Sequence, residues 1–152
     1  MATQQTSSGL GQSVEEYRGG FLRRAMRLDA LATGAVGALL LLAAGTVVGD
    51  GRPFVRMLGM PLAVLVSVGL FLIVYAAFVW IVGTRRRVSG PGAWVAVVIN
   101  VLYALGCVVA VAAGLFPLTA LGVAFVLAQA AAVALFAALQ FLGLRRSRPA
   151  TG

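Results

Sequence analysis

Residues Met60–Val82 read MPLAVLVSVGLFLIVYAAFVWIV, without one charged side chain. At about 1.5 Å per residue a helix of this length spans roughly 35 Å, enough to cross the hydrocarbon core of a bilayer. A buried helix of a soluble protein needs only an apolar stripe, whereas this run is apolar on every side. It predicts a transmembrane helix. Three more runs of the same kind flank it: Leu28–Val48, Ala93–Leu115 and Leu118–Leu144, the last stopped by Arg145, Arg146 and Arg148. Spans are therefore expected at about 28–48, 60–82, 93–115 and 118–144.

The composition agrees. The 152 residues are 61% hydrophobic and 11% charged, against about 45–50% and about 25% in soluble domains. Both departures exclude an ordinary soluble protein and a disordered one. The segments between runs are short, and Phe116-Pro117 alone separates the third from the fourth. Short connections force antiparallel neighbours. The expected fold is an all-α, antiparallel four-transmembrane-helix bundle forming one membrane domain over residues 18–148. Residues 1–17 and 149–152 are polar and expected to be disordered. Arg18–Leu28 alternates arginines with Phe21, Leu22, Ala25, Met26 and Leu28, the pattern of a short interfacial helix leading into the membrane. The first run is longer than the 7–15 apolar residues of a signal peptide, so cleavage is not expected.

Every basic residue is arginine, and their distribution sets an orientation. Arg18, Arg23, Arg24 and Arg27, then Arg85, Arg86 and Arg87, then Arg145, Arg146 and Arg148 fall on one side of the expected bundle. Only Arg52 and Arg56 fall on the other. The positive-inside rule puts both termini in the cytoplasm, in a bacterial plasma membrane. These arginines read as topology determinants and contacts to anionic lipid head groups rather than as a nucleic-acid surface. Trp80 and Trp94 would anchor the cytoplasmic interface, Phe54 and Phe116 the outer one.

Much chemistry lacks raw material. There is no histidine, one cysteine, Cys107, and four acids, Glu15, Glu16, Asp29 and Asp50. No histidine base, disulfide or thiol pair can be assembled from these, and metal sites and carboxylate dyads have almost no raw material. No catalytic residue, metal or cofactor is expected, and the protein reads as a non-enzyme. Cys107 reads as a small apolar filler.

Polar side chains inside the runs are few. Thr33, Tyr75, Asn100, Tyr103 and Gln129 fall between the inner third and the centre of their spans. Converging, they would form an intramembrane hydrogen-bonded cluster, either a small site or simple interhelical bonding. Asp29, at the edge of the first run, reads as an N-terminal helix cap or as one half of an ion pair with an arginine at the cytoplasmic ends. Small residues recur at i, i+4 and i+8: Gly106, Ala110 and Gly114 in the third run, and Ala120, Ala124, Ala128 and Ala132 in the fourth. They predict a packing seam between these two helices.

Leu28-Asp29-Ala30, the stretch LTALGVAFVLAQ at 118–129 and QFLGLRR at 140–146 resemble small four-helix integral membrane proteins of high-GC, actinobacterial-type bacteria. The resemblance covers about residues 21–148. The abundance of Ala, Gly, Val, Leu and Arg, the residues of GC-rich codons, points the same way. The resemblance implies no assigned activity and transfers no functional residue. Related members often carry Glu where Ala138 stands. The expected function is a structural or partner-binding role in the membrane, alone, as a homo-oligomer or beside another membrane protein. The alternative is a minimal oligomeric transporter or channel with a small polar site in mid-membrane.

Overall fold

The computed structural model describes residues 3–45, 53–85 and 90–146, all helical apart from short connections. The elements are α1 (Thr3–Gly45), α2 (Pro53–Leu58), α3 (Leu62–Thr84), α4 (Gly90–Ala112) and α5 (Ala120–Arg146). Four stretches are long and apolar enough to cross a membrane: Gly20–Gly45, Leu62–Thr84, Gly90–Ala112 and Ala120–Arg146. The last three lie within a few residues of expectation.

The first span differs most, beginning at Gly20 rather than Leu28. Leu22, Ala25, Met26, Asp29, Ala30, Thr33, Gly37, Leu40 and Ala44 are all buried. This is one continuous face at steps of three and four residues. Arg24 and Arg27 project outward from the same turns, so they decorate a helix that is already packed. Arginine can do this because its stem is apolar and only its head needs water. The segment expected to be disordered is also helical from Thr3. The expected tail 149–152 and residues Arg52, Arg86, Arg87 and Arg148 lie outside the described residues.

The most extensive contact between helices is that of α1 with α3. A Cβ added to Gly37 would lie 3.0 Å from both the Gly69 carbonyl oxygen and the Leu72 Cβ. One added to Gly34 would lie 3.3 Å from the Ala76 Cβ. Missing side chains let these backbones meet, which inside lipid is what makes helices associate. The small-residue seam expected between the third and fourth runs is not formed. Ala120, Ala124, Ala128 and Ala132 are all exposed, as are Gly106 and Gly114, and no atom comes within 4 Å of a Cβ added to Gly106. The face of α5 that is buried is Gly122, Val126, Ala130, Val133, Ala137, Gln140 and Leu144. Both columns keep helical spacing, and the buried one carries Val, Gln and Leu side chains together with Gly122 and Gly143, where α2 and Leu22 come close.

The short helix α2 closes the end of the bundle away from Arg145 and Arg146. Gly59 turns the chain at φ +65°, a conformation an L side chain would strain. Thr119 then ties the two hairpins together. Its N–H donates to the Leu58 carbonyl at 3.2 Å, its hydroxyl donates to the Met57 carbonyl at 2.5 Å and accepts from Gly122 N at 3.1 Å. The last contact caps the start of α5.

The core has two apolar layers. One, towards the arginine-bearing ends, gathers Leu22, Met26, Val79, Val82, Ala93, Val97 and Leu144. The other, towards α2, gathers Leu40, Leu58, Met60, Leu65, Leu72 and Val126. All the buried residues of α4, Ala93, Ala96, Val97 and Asn100, belong to its first half. The four long helices therefore meet most fully in the half that carries the arginines.

Candidate functional site: a carboxylate shared by four helices

Asp29 lies at the centre of that half. It is about nine residues into the first span, roughly 13 Å along the helix from Gly20, and has no exposed surface. Each of the other three long helices sends one polar side chain to it. The Tyr75 hydroxyl of α3 donates to Oδ2 at 3.3 Å. The Asn100 amide of α4 donates to the same oxygen at 3.0 Å, and the Gln140 amide of α5 at 2.6 Å. On its own helix, one turn on, the Thr33 hydroxyl donates to Oδ1 at 2.9 Å. Asn100 also donates to the Gln140 carbonyl oxygen at 3.3 Å, which closes a ring of three side chains from three helices.

Each placement follows from helical spacing. Asp29 and Thr33 stand at i and i+4, one above the other on the face of α1 that enters the core. Asn100 ends the buried face of α4, one turn beyond Ala96 and Val97. Gln140 lies between Ala137 and Leu144 on the buried face of α5. Tyr75 extends across from α3, and its ring stacks on Phe71 with centroids 6.3 Å apart. The Tyr75 hydroxyl has a second acceptor in reach, the Ala96 carbonyl at 3.2 Å. It carries one proton and so serves one acceptor at a time.

The expected cluster is thus met in part and corrected in part. Thr33, Tyr75 and Asn100 converge. Tyr103 does not: its ring stacks on Phe71 with centroids 5.9 Å apart, and it packs in the layer nearer α2. Gln129 does not either, being about eleven residues, or roughly 16 Å, from Gln140 along α5. Asp29 is not a helix cap, and among the described residues it is not half of an ion pair. It sits in the interior of a helix that begins at Thr3, where backbone amides are already bonded and cannot be capped, and the four groups that donate to it are uncharged. Sequence reasoning missed Gln140 altogether. Its signal was its register with Val133, Ala137 and Leu144, which fixes the inner face of α5.

At the arginine-bearing ends, aromatic rings hold the cations. Arg145 lies over Phe141 at 5.3 Å and Arg146 over Phe21 at 5.7 Å, with Trp94 edge-on to Phe141 at 5.8 Å. Arg24, Arg27, Arg85, Arg145 and Arg146 are exposed, and Arg23 is half-buried. Cys107 is half-buried in the layer nearer α2.

As chemistry, the site is one carboxylate among neutral hydroxyl and amide groups. Among the described residues no three His, Cys, Asp or Glu side chains come together as metal ligands would. Both carboxylate oxygens accept from N–H or O–H donors, an arrangement that solvates a negative charge inside the bundle. Fold and site together define a class: a four-helix bundle of membrane-spanning dimensions around a buried, hydrogen-bonded carboxylate. No family model matches the chain, and no curated protein and no solved structure is significantly similar to it.

Proposed function

We propose that this protein is a minimal proton-linked transporter of the bacterial plasma membrane, non-enzymatic, with both termini in the cytoplasm and Asp29 as the group that takes up and releases the proton. The observation that carries the reading is the placement of a carboxylate, fully buried, where all four spans meet. Side-chain hydrogen bonds within membranes average about 0.6 kcal/mol each. Four of them only offset the roughly 2.5–3.5 kcal/mol that a charged aspartate costs near the middle of a spanning helix. Stability gains next to nothing from the charge, and a cluster replaced as a whole by apolar side chains would serve the bundle as well. Ionisable groups kept at such depth mark proton and ion pathways.

The partners of Asp29 suit a proton. With the carboxylate charged, Thr33 donates to Oδ1. With a proton on Oδ1, the new O–H donates to the Thr33 oxygen, since a hydroxyl both gives and accepts. Asn100 and Gln140 keep their bonds to Oδ2 throughout, and Tyr75 turns from Asp29 to the Ala96 carbonyl when the charge is gone. The site thus passes between its two states by rotating two hydroxyl groups. An oligomer of this chain belongs to the reading, because four helices enclose little space. The arginine-bearing face lies against anionic lipid.

Dicyclohexylcarbodiimide, an apolar reagent that adds to carboxyl groups only with their proton, tests the proposal. The protein in lipid nanodiscs is expected to gain one adduct, mapped by mass spectrometry to Asp29, faster as the pH is lowered and absent in Asp29→Asn. No adduct at Asp29 at any pH, in protein shown to be folded, contradicts it. Orientation has its own check. Reporters fused after Gly92 and after Gly152 should read cytoplasmic and one after Phe54 should read external; an external C-terminus overturns the topology.

A second reading has its own observation: each of the five side chains finds its hydrogen-bond partner inside the bundle. Asp29 would then fix which helix faces meet, as buried polar groups do in some assemblies, and the protein would be a structural or partner-binding component of the membrane. In that case Asp29→Asn keeps full biological activity and changes only thermal stability.

A further inference from the structure

Beside the carboxylate site lies a lipid-facing cleft. It runs between α1, α3 and α5, has a volume of about 260 Å³, and is lined by Thr33, Leu72, Phe125, Gln129, Ala132 and Phe136 among others. Its walls are apolar apart from two groups. One is Thr33, whose hydroxyl is hydrogen-bonded to Asp29 Oδ1 at 2.9 Å. The other is Gln129, which is half-buried and whose amide makes no hydrogen bond to the described residues. We propose that this cleft is the substrate site of the transporter reading, and that its occupant is a small lipophilic organic cation carrying an aromatic ring or a quaternary ammonium group.

Three features of the cleft select that chemistry. A membrane-facing opening admits a molecule already dissolved in lipid. Two phenylalanines, Phe125 and Phe136, line the cleft, and a cation is attracted to an aromatic face where little water screens it. The Asp29 charge stands one hydroxyl away, in a medium of low dielectric where its field reaches further than in water. A metal or ammonium ion, strongly hydrated, would find few oxygens here. An anion would meet the carboxylate. A neutral molecule of the same shape would gain the apolar walls but neither the rings' quadrupole nor the charge. Competition follows directly: a proton on Asp29 removes the attraction, so the cation and the proton occupy the pair of sites in alternation.

The inference rests on the transporter reading, and its test separates the two. Phenyltrimethylammonium and tert-butylbenzene have the same shape and differ by one charge. Titrated into the detergent-solubilised full chain by calorimetry, against detergent alone, the cation is expected to bind about tenfold more tightly than its neutral isostere. Ala132→Phe, a substitution at an exposed position that fills the cleft, should abolish binding of both. Asp29→Asn should bring the two affinities together. Should that variant fail to fold, the double change Phe125→Leu and Phe136→Leu should remove most of the preference. Equal affinities in the wild type, absence of cation binding, or binding unchanged by Ala132→Phe each overturn the proposal. Carbodiimide labelling of Asp29 without cation binding refutes the cleft alone. Cation binding without labelling refutes the proton role alone. A bound cation that slows labelling supports both together.

Discussion

Gly37→Leu is expected to lower the melting temperature of the protein in detergent by about 5–10 °C or to prevent folding, while Ala124→Leu leaves it nearly unchanged. The first added carbon already meets the Gly69 carbonyl and the Leu72 Cβ at 3.0 Å. Three further carbons must push α1 and α3 apart along the contact on which the bundle depends. Overpacking of this kind costs about 1–3 kcal/mol, occasionally more, and for a chain of this size each kcal/mol moves the midpoint by about 2–4 °C. Ala124 faces outward, where a leucine meets only lipid or detergent. Circular dichroism melts of the two variants decide the matter. Equal shifts would mean that the tight seam lies on the alanine column of α5 after all.

Asn100→Leu has the next largest effect. It removes two hydrogen bonds at once, to Asp29 and to Gln140. A buried carboxylate is left with one donor fewer and a buried amide oxygen without its partner. Leaving such groups unsatisfied costs about 1–3 kcal/mol, more when one is charged. The asymmetry of buried polar groups adds a sharper expectation. Replacing Asp29, Asn100 and Gln140 together by leucine should restore much of the stability that Asn100→Leu alone loses, since no orphan remains. If the triple variant is the less stable of the two, the cluster itself holds the bundle together, and the structural reading gains.

Four apolar runs and their antiparallel order were legible because hydropathy over twenty residues is a strong signal and the connections leave no other arrangement. Thr33, Tyr75 and Asn100 were legible for the same reason, as polar residues isolated in apolar surroundings. Asp29 was misplaced by a single decision about where a membrane helix starts. Counting charge puts the boundary after Arg27, whereas the inward face of α1 carries no arginine from Leu22 onward. Arginine at three positions of the first turns masks a helix that is already in the core. Had the step from Leu22 through Met26 to Asp29 and Thr33 been read as one face, the aspartate would have fallen inside the bundle. Gln129 and Gln140 stand eleven residues apart, about three turns, so they share a face of α5 and register cannot tell them apart. Only depth distinguishes them, and the depth at which the cluster forms is set by Asp29, whose span was started too late. The misassigned seam has a different origin. Ala120, Ala124, Ala128 and Ala132 satisfy the spacing rule, and so does the buried column Gly122, Val126 and Ala130, two residues on and on the opposite side of the helix.

The central claim is that Asp29 binds a proton within the membrane-spanning part of the protein. Infrared difference spectroscopy of the protein in nanodiscs, recorded between high and low pH, measures this directly. The expected result is a carbonyl band of a protonated carboxylic acid that grows as the pH falls, shifts when Thr33 is replaced by valine, and is missing from Asp29→Asn. A spectrum identical in wild type and Asp29→Asn across the whole range would contradict it.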